Sequence, residues 1–477
     1  MTPKLIRVPD LALDEQNTLD ELIVEWRAKR PRNNMRSAIY DMKNSERSLM
    51  ARSVPNVVRR RKFVLGWSAI AVDKLNRRCN LDGFYDAAGN DLTTLGLDDI
   101  VRQNRLLSEV SQGGVSSLIH AVSWLVTTQG DTQSGEPEVL INARSAETAT
   151  GIWDVRRRAI RDFLSIHSLD EDGEPTAMTL MIPNLNIIMT KTDGGHWLVD
   201  RRPHVYGVPV DPMRHKPRLG RAFGSSRITR AVMSIHMQAL AAMIRADVNG
   251  EAYSLPRYVL LGATEDAFQN ADGSPKSTWQ AAWDAVWAIG DDEDATTPRA
   301  DVKQFNGQSP EPQNAHLRML AQMFSGETSI PVGELGIIGD ANPTSADALT
   351  AGKDDLIATA EQTTDDWSPD VSSAVTRALT MLGRGDIPAN LDVRPKWRNP
   401  MHVSRAAAAD AGTKIVDKVP WLAESEVGLE LMGLSSDQIT RAMNDKRRAA
   451  GTDILQTLRD AAAQQAAQGA VQGDAGA

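Results

Sequence analysis

The sequence predicts an α+β chain, with helices towards both ends and strands segregated between them. Three observations predict it. Apolar residues make up 41% of 477 positions, enough for sizeable cores, and the length corresponds to about three structural units. Apolar side chains recur at helical spacing before residue 111 and again after 225. Between about 115 and 210 the period changes to short β-rich runs separated by turn clusters.

Leu19, Leu22, Ile23 and Trp26 mark a helix in the polar arm of residues 1–35, and Pro31 is expected to stop it. Trp67, Ile70, Ala71, Lys74, Leu75 and Arg78 share one side of a second helix, with a turn expected at Asp82-Gly83. A third runs from near Asp98 to Ser111, and Gly113-Gly114 should end it. Glu138–Ala143, Ala159–His167, Thr176–Ile182, Leu185–Thr190 and His196–Asp200 read as an antiparallel meander. Residues 225–248 form a long helix that Ser225 or Ser226 can cap. Arg257–Leu261 and Val302–Phe305 are strand-like around a Trp-bearing helix at Thr278–Ile289, and residues 314–326 are helical. A Gly/Pro-rich loop at 329–343 precedes a helical pattern from Ser345 to Leu382, on the order of 55 Å long, in which Pro369 predicts a kink or a second start. Helices dominate from 400 to 462, with a capping box at Ser435 and Gln438, and the last fifteen residues read as a disordered tail.

The chemistry in the sequence is sparse. There is no phosphate-binding G-x-x-x-x-G-K-[ST] loop, no dinucleotide fingerprint, no G-x-S-x-G elbow and no H-E-x-x-H. No cofactor and no enzymatic activity are expected. Gly220–Ser226 is Gly- and Ser-rich ahead of a helix, but it lacks the lysine a nucleotide loop needs. The eight histidines are scattered, including His204 and His215 beside a Pro-rich connection. Asp170, Asp172 and Glu174 are half a calcium loop at most, and a hairpin turn explains them better. The single cysteine, Cys79, rules out an intramolecular disulfide and a cysteine metal cluster, and fits a reducing compartment. Arg77 and Arg78 beside it could lower its pKa. No apolar run reaches membrane-spanning length, and no signal peptide is visible.

Charge is more informative. The net charge is −9, so a uniformly basic nucleic-acid coat is excluded. Glu25–Arg78 nevertheless carries fifteen basic and four acidic residues, including Arg59, Arg60, Arg61 and Lys62 in a row. Residues 250–313 carry four basic and eleven acidic residues, including Asp291, Asp292, Glu293 and Asp294. Each run can be a solvated face, but their separation points to different partners at different ends of the molecule.

Three segments carry a resemblance. NVVRRRKFVLGWSAIAVDKLNRRCNLDGF (Asn56–Phe84), RLGRAFGSSRITRAV (Arg218–Val232) and FSGETSIPVGELGIIGDANPTSADALTAGKDDLIATAE (Phe324–Glu361) resemble tailed-bacteriophage portal proteins, in particular those of phages infecting actinobacteria. The segments cover about 80 residues directly. The third is the most specific: a helix end, Ile-Pro, a Leu-Gly loop, Asn-Pro-x-Ser-Ala and a long helix. Tyr40-Asp41 matches the family's Tyr-Asp-Gly pattern only in part, because Met42 replaces the glycine.

The resemblance implies a phage portal fold. An arm (1–35) would precede an α/β wing with the meander (36–224), a first stem helix (225–249) and a small α/β clip (250–313). A second stem helix (314–328), a tunnel loop (329–344), a long kinked wing helix (345–384), an α-helical crown (385–462) and the tail (463–477) would follow. It also implies a homo-oligomeric ring, commonly of about twelve subunits, at one capsid vertex. Double-stranded DNA would pass through it without sequence recognition during packaging and ejection. The partners implied are the terminase large subunit, the major capsid and scaffold proteins and a head–tail adaptor, with no membrane. The protein would sit in the virion, and in host cytoplasm during assembly.

Glu334, Ile337, Ile338, Asp340 and Asn342 are the candidate DNA-facing residues of the tunnel loop. No Lys or Arg falls between Ser329 and Gly352, as suits a constriction through which phosphates must slide. Asp291–Asp294 would be the clip's acidic docking cluster, and Arg59–Lys62 a basic wing patch. A different phage head protein, such as a head–tail adaptor or minor capsid protein, is the alternative reading.

Overall fold

The structure, a computed structural model, describes residues 5–43, 56–253, 257–261, 301–305, 311–337, 353–401, 405–435 and 438–449, with single positions 274, 309, 456 and 459. It divides into two units, Met1–Arg398 and Asn399–Ala477.

In chain order the first unit contains helix α1 (Leu13–Tyr40), one helical turn at Asn56–Arg59, α2 (Trp67–Asn76), β1 (Leu81–Asp86), α3 (Leu97–Gln103) and α4 (Leu106–His120). Strands β2 (Val122–Gln129), β3 (Val139–Ser145), β4 (Ala149–Asp154), β5 (Ala159–Leu169), β6 (Pro175–Ile182), β7 (Leu185–Lys191), β8 (Trp197–Pro203) and β9 (Val210–Arg214) follow. Next come α5 (Arg230–Tyr253), the paired strands β10 (Arg257–Leu261) and β11 (Asp301–Phe305), α6 (Glu311–Thr328), α7 (Asp354–Leu382) and β12 (Val393–Trp397).

Four of the five runs expected in the meander are β5–β8, which form an antiparallel sheet in the order β4-β5-β6-β7-β8; its edge strand β4 is not among the expected runs, and the first of these, 138–143, is β3 in a different sheet. That second sheet, β3-β2-β9, lies over the first. Period-2 alternation serves both faces of β5: Phe163 points to the space between the sheets and Leu164 to α1. Leu19, Leu22, Ile23 and Trp26 of α1 complete that outer core against Ile166, Met178, Leu180, Ile187 and Met189. The largest core gathers α2–α7 against β2, β3 and β9. Strand β1 pairs with β12, from which it is some three hundred residues distant.

Several local expectations are corrected. Pro31 does not stop α1, which continues to Tyr40. The lost backbone bond is offset by docking beyond it: Asn33 donates to the Ala146 carbonyl at 2.8 Å, Ser37 to Glu147 at 2.6 Å and Tyr40 to Asp73 at 2.8 Å. The helix expected at 98–111 is two. Asn104 breaks it, because its amide donates to the Val139 carbonyl and accepts from Ile141 N–H, tying α3 to the edge of β3. Gly113-Gly114 then lies inside α4 rather than ending it. A Cβ on Gly114 would stand 2.6 Å from Asn76 Oδ1 and 2.8 Å from the Trp367 ring, so the glycine permits close helix packing. Asp82-Gly83 is not a turn but part of β1, with an irregular register between Leu81 and Gly83. Helix α5 begins at Arg230, not 225, and Val232 N–H is capped by the Thr229 hydroxyl at 3.2 Å. Helix α7 runs unbroken through Pro369, and the Ser368 hydroxyl bonds back to the Thr364 carbonyl instead of capping a second helix.

The second unit holds α8 (Arg405–Lys418), a 3₁₀ turn at Pro420–Glu424, α9 (Glu426–Leu431) and a helix at 438–449. The capping box is present: Gln438 Oε1 accepts from Ser435 N–H at 3.0 Å, and Ser435 Oγ accepts from Gln438 N–H at 3.4 Å. Among the described residues no helix is long and apolar enough to cross a membrane. The helix expected at 278–289, most of the expected 250–313 clip outside β10 and β11, and the expected tail at 463–477 lie outside the described residues.

Candidate functional site

The three sequence segments singled out above converge in space. Arg227, at the centre of the second, is buried at 6% exposure. Its Nε donates to the Ala71 carbonyl of α2 at 2.8 Å, and its terminal nitrogen donates to the Thr328 carbonyl at the end of α6. Burial pushes its pKa down to about 10. The guanidinium takes two carbonyls rather than a carboxylate, so it joins the segments without adding a buried anion. Trp67 and Phe324 pack with ring centroids 5.4 Å apart, and Ser68 Oγ lies 3.0 Å from His236 Nδ1. Cys79 faces the Ala360 carbonyl of α7. The expectation that Arg77 and Arg78 lower the Cys79 pKa is corrected: burial pushes the thiol up to about 12, and neither arginine counters it.

After α6 the chain stays packed on this core as far as residue 337. Ile330 and Leu335 are buried, Ile337 packs on the same core, and Val332–Leu335 forms one 3₁₀ turn ending at Gly336 with φ +80°. Glu334 is not free. Its carboxylate meets Lys74 of α2 at 3.0 Å and Lys353, just before α7, at 3.8 Å. Lys74 of α2, the 3₁₀ turn and the residue before α7 are thus tied through one acid. Ile338, Asp340 and Asn342 lie outside the described residues.

Helix α7 is fixed in turn to β9. Arg377 pairs with Asp211, and Arg214 pairs with Asp370 at 3.2 Å. The Arg214 guanidinium also sits over the Trp153 ring, 4.9 Å from its centroid. Burial pushes the Asp370 carboxyl up to about 7, against the pull of Arg214. One ladder of contacts therefore connects α2, the loop root, α7 and the inter-sheet layer.

Residues 19–421 match the family described as "Phage portal protein, SPP1 Gp6-like". The chain belongs to this portal family. It is 26% identical over 412 residues to the portal protein of Mycobacterium phage D29, covering 83% of this chain and 82% of that one. It is 24% identical over 424 residues to the portal protein of Mycobacterium phage L5, covering 86% and 84%. Two solved structures of gene-transfer-agent (GTA) particle necks are similar at lower levels. One, of the native particle with C12 symmetry, shares 14% identity, with a TM-score of 0.37 over 77% of this chain and 89% of that one. The other, of the empty particle with C6 symmetry, shares 13%, with a TM-score of 0.40 over 77% and 90%. Both scores are too low to carry an argument here. Portal proteins are structural components of the phage particle.

The remaining candidates divide. Of the basic wing patch, Arg59, Arg60, Arg61 and Lys62 are all exposed at the turn after Asn56–Arg59. Arg61 meets Asp247 at 2.5 Å, so the patch flanks α5. The acidic cluster Asp291–Asp294 lies outside the described residues. Gly220–Ser226 is not a phosphate cradle: Ser226 Oγ is buried on the Ile119 carbonyl at 2.6 Å, and α5 starts four residues later. His215 is buried, with Nδ1 2.6 Å from the Ser225 carbonyl, and burial pushes it down to about 3. Asp170–Glu174 is a hairpin turn whose Glu174 is paired with Arg27. Sequence reasoning missed the roles of Arg227, Lys74 and Lys353. For the first, its place in the Gly-x-Ser-Arg-Ile stretch of the second segment, Gly224–Ile228, was the available signal.

Proposed function

We propose that the chain assembles with about eleven further copies into a ring at one capsid vertex, and that double-stranded DNA passes through its centre during packaging and ejection. The observation that carries this reading is the loop root: a segment without Lys or Arg from Ser329 to Gly352, clamped through Glu334 onto Lys74 and Lys353. A conduit must hold a duplex without gripping its phosphates, and dense cations on the lining would bind them strongly. Family membership supports the same reading. The clip docks the terminase large subunit first and a head–tail adaptor afterwards, with the acidic run Asp291–Asp294 multiplied by ring symmetry into a negative collar. The wing, with Arg59–Lys62, faces the major capsid and scaffold proteins. Assembly takes place in host cytoplasm, and the chain performs no catalysis of its own.

Negative-stain electron microscopy with light scattering tests it. Rings of about a dozen subunits around a duplex-wide hole are expected. A chain that stays monomeric or dimeric, even when co-expressed with its capsid and scaffold partners, would sink the conduit reading.

A further inference from the structure

The inter-sheet layer ends in a projection on one side and a cleft on the other. The projection is the hairpin Arg218–Arg221. Its backbone bonds run both ways, Arg221 N–H to Arg218 O at 2.8 Å and the reverse at 3.3 Å, around Leu219 and Gly220 at φ +79°. Leu219 at the tip is fully exposed, at 102% of its reference surface. The hairpin is built rather than loose. Phe223 anchors it edge-on against Trp124 at 5.2 Å and Trp153 at 6.1 Å. Ser225 N–H bonds back to the His215 carbonyl at 2.8 Å, and a Cβ on Gly224 would stand 2.1 Å from that oxygen. A rigid apolar tip loses little freedom on docking.

Cations without counterions surround the hairpin. Among the described residues, Arg32, Arg36, Arg218 and Arg221 form no ion pair with a carboxylate. Arg36 Nε is buried without a hydrogen-bond partner. Burial first, then the neighbouring charges of Arg32 and Arg221, hold its pKa down at about 10.

The cleft, about 580 Å³, opens where the two sheets part beyond Val126 and Met181. Trp124, under the hairpin, and Gln129, in the cleft wall, are five residues apart on β2, about 17 Å at strand rise. Leu140, Met181 and Ile188 form an apolar patch in a lining that is otherwise largely polar, and Asp131 and Glu136 stand exposed at its rim. Neither acid is in an ion pair among the described residues. Thr127 Oγ1 and Ser165 Oγ are buried in the wall without partners. Arg144 and Arg202, the latter paired with Asp200, also line the cleft, which disfavours an arginine inside it and leaves the apolar tip as the part that enters.

We infer that the Arg218–Arg221 hairpin of one copy docks its Leu219 tip into the inter-sheet cleft of the next, with its arginines against Asp131 and Glu136 at the rim. Knob and hole are different surfaces of the same chain, so the contact is head-to-tail, the type that closes rings. The inference deepens the ring reading and rests on it.

The test uses the full chain. Ring fraction is measured by light scattering and negative stain for wild type, Leu219→Asp, the double variant R218E/R221E, the double variant D131R/E136R, and the two doubles combined. Each of the first three variants should lower the ring fraction about tenfold, and the combined charge swap should restore it. A chain carrying Leu219→Cys and Glu136→Cys should give a ladder of multimers with a short bismaleimide. Wild type should give none, because Cys79 is buried. The altered side chains are exposed, and unchanged circular dichroism checks the fold. Wild-type ring levels in all three variants with no cross-linked ladder would overturn the contact and leave the ring reading standing. Absence of rings in wild type as well would overturn both. Normal rings with poor procapsid incorporation would assign the hairpin to a capsid partner and also overturn the inference.

Discussion

The buried junction of the three segments and the exposed basic groups around it use arginine in opposite ways. At the junction, Arg227 is buried and spends its donors on the Ala71 and Thr328 carbonyls, while Arg377 and Arg214 are paired to carboxylates across α7 and β9. Around it, Arg59–Lys62 and the hairpin arginines Arg218 and Arg221 are exposed, and Arg61 reaches Asp247 on α5. One residue type is structural where desolvation makes every missing bond expensive and available for partners where water makes it cheap. Charge counts along the sequence cannot separate these two populations; burial does.

The largest test of that contrast is Arg227→Ala. It leaves two buried carbonyls without donors and should cost about 2–4 kcal/mol of stability, measured by denaturant unfolding, with Arg227→Lys retaining part of it. A loss below about 1 kcal/mol would mean the three segments are held by packing alone. Next is Gly114→Ala, whose added methyl meets Asn76 and Trp367 and should cost about 1–3 kcal/mol. Unchanged melting would show that α4 can shift away from α7.

Asp370 sharpens the comparison by pH. Its pKa is raised from the ordinary value of about 3.8 to about 7, so between those limits the folded state holds the proton more tightly than the unfolded chain. Its contribution to stability is therefore fully present below about pH 4 and falls away as pH rises towards 7. Asp370→Asn should remove this slope, seen as a difference of a degree or two in Tm between wild type and variant across the window. Parallel profiles would show that Arg214 keeps the carboxylate charged throughout. Glu334→Gln should weaken the loop clamp by about 0.5–1 kcal/mol and speed amide exchange at 332–337, with little effect on Tm. Charge reversal of Arg59, Arg60 and Arg61 should move stability least, within about 0.5 kcal/mol. It should nevertheless impair procapsid incorporation more than ring assembly, and normal incorporation would remove the patch from the partner surface.

Much of this was legible in the sequence because it is periodic or local. The meander of β5–β8, helix α6 and the Ser435–Gln438 capping box follow from alternation, helical spacing and cap chemistry. Family membership came from motif order along the chain. What escaped was decided by distant contacts. Pro31 is tolerated because Asn33 and Ser37 find partners more than a hundred residues away. Gly113-Gly114 looks like a helix stop until Trp367 is seen against it. Strands β1 and β12 are short and neither announces the other. In the site, the composition of the loop was readable, but the engagement of Glu334 depends on Lys74, which the sequence places 260 positions earlier.

The β1–β12 pairing sets a timetable. Leu81–Asp86 emerges early in synthesis, yet the strand it pairs with, Val393–Trp397, lies near the end of the first unit. At about 5–20 residues per second the ribosome needs roughly 15–60 s to make the intervening chain. For that interval β1 is an unpaired edge, and α2 and α4 wait beside it for α7. The first unit therefore closes only after nearly all of it has been translated, so that a chain cut short before residue 393 leaves an open edge and an incomplete core instead of a smaller folded subunit.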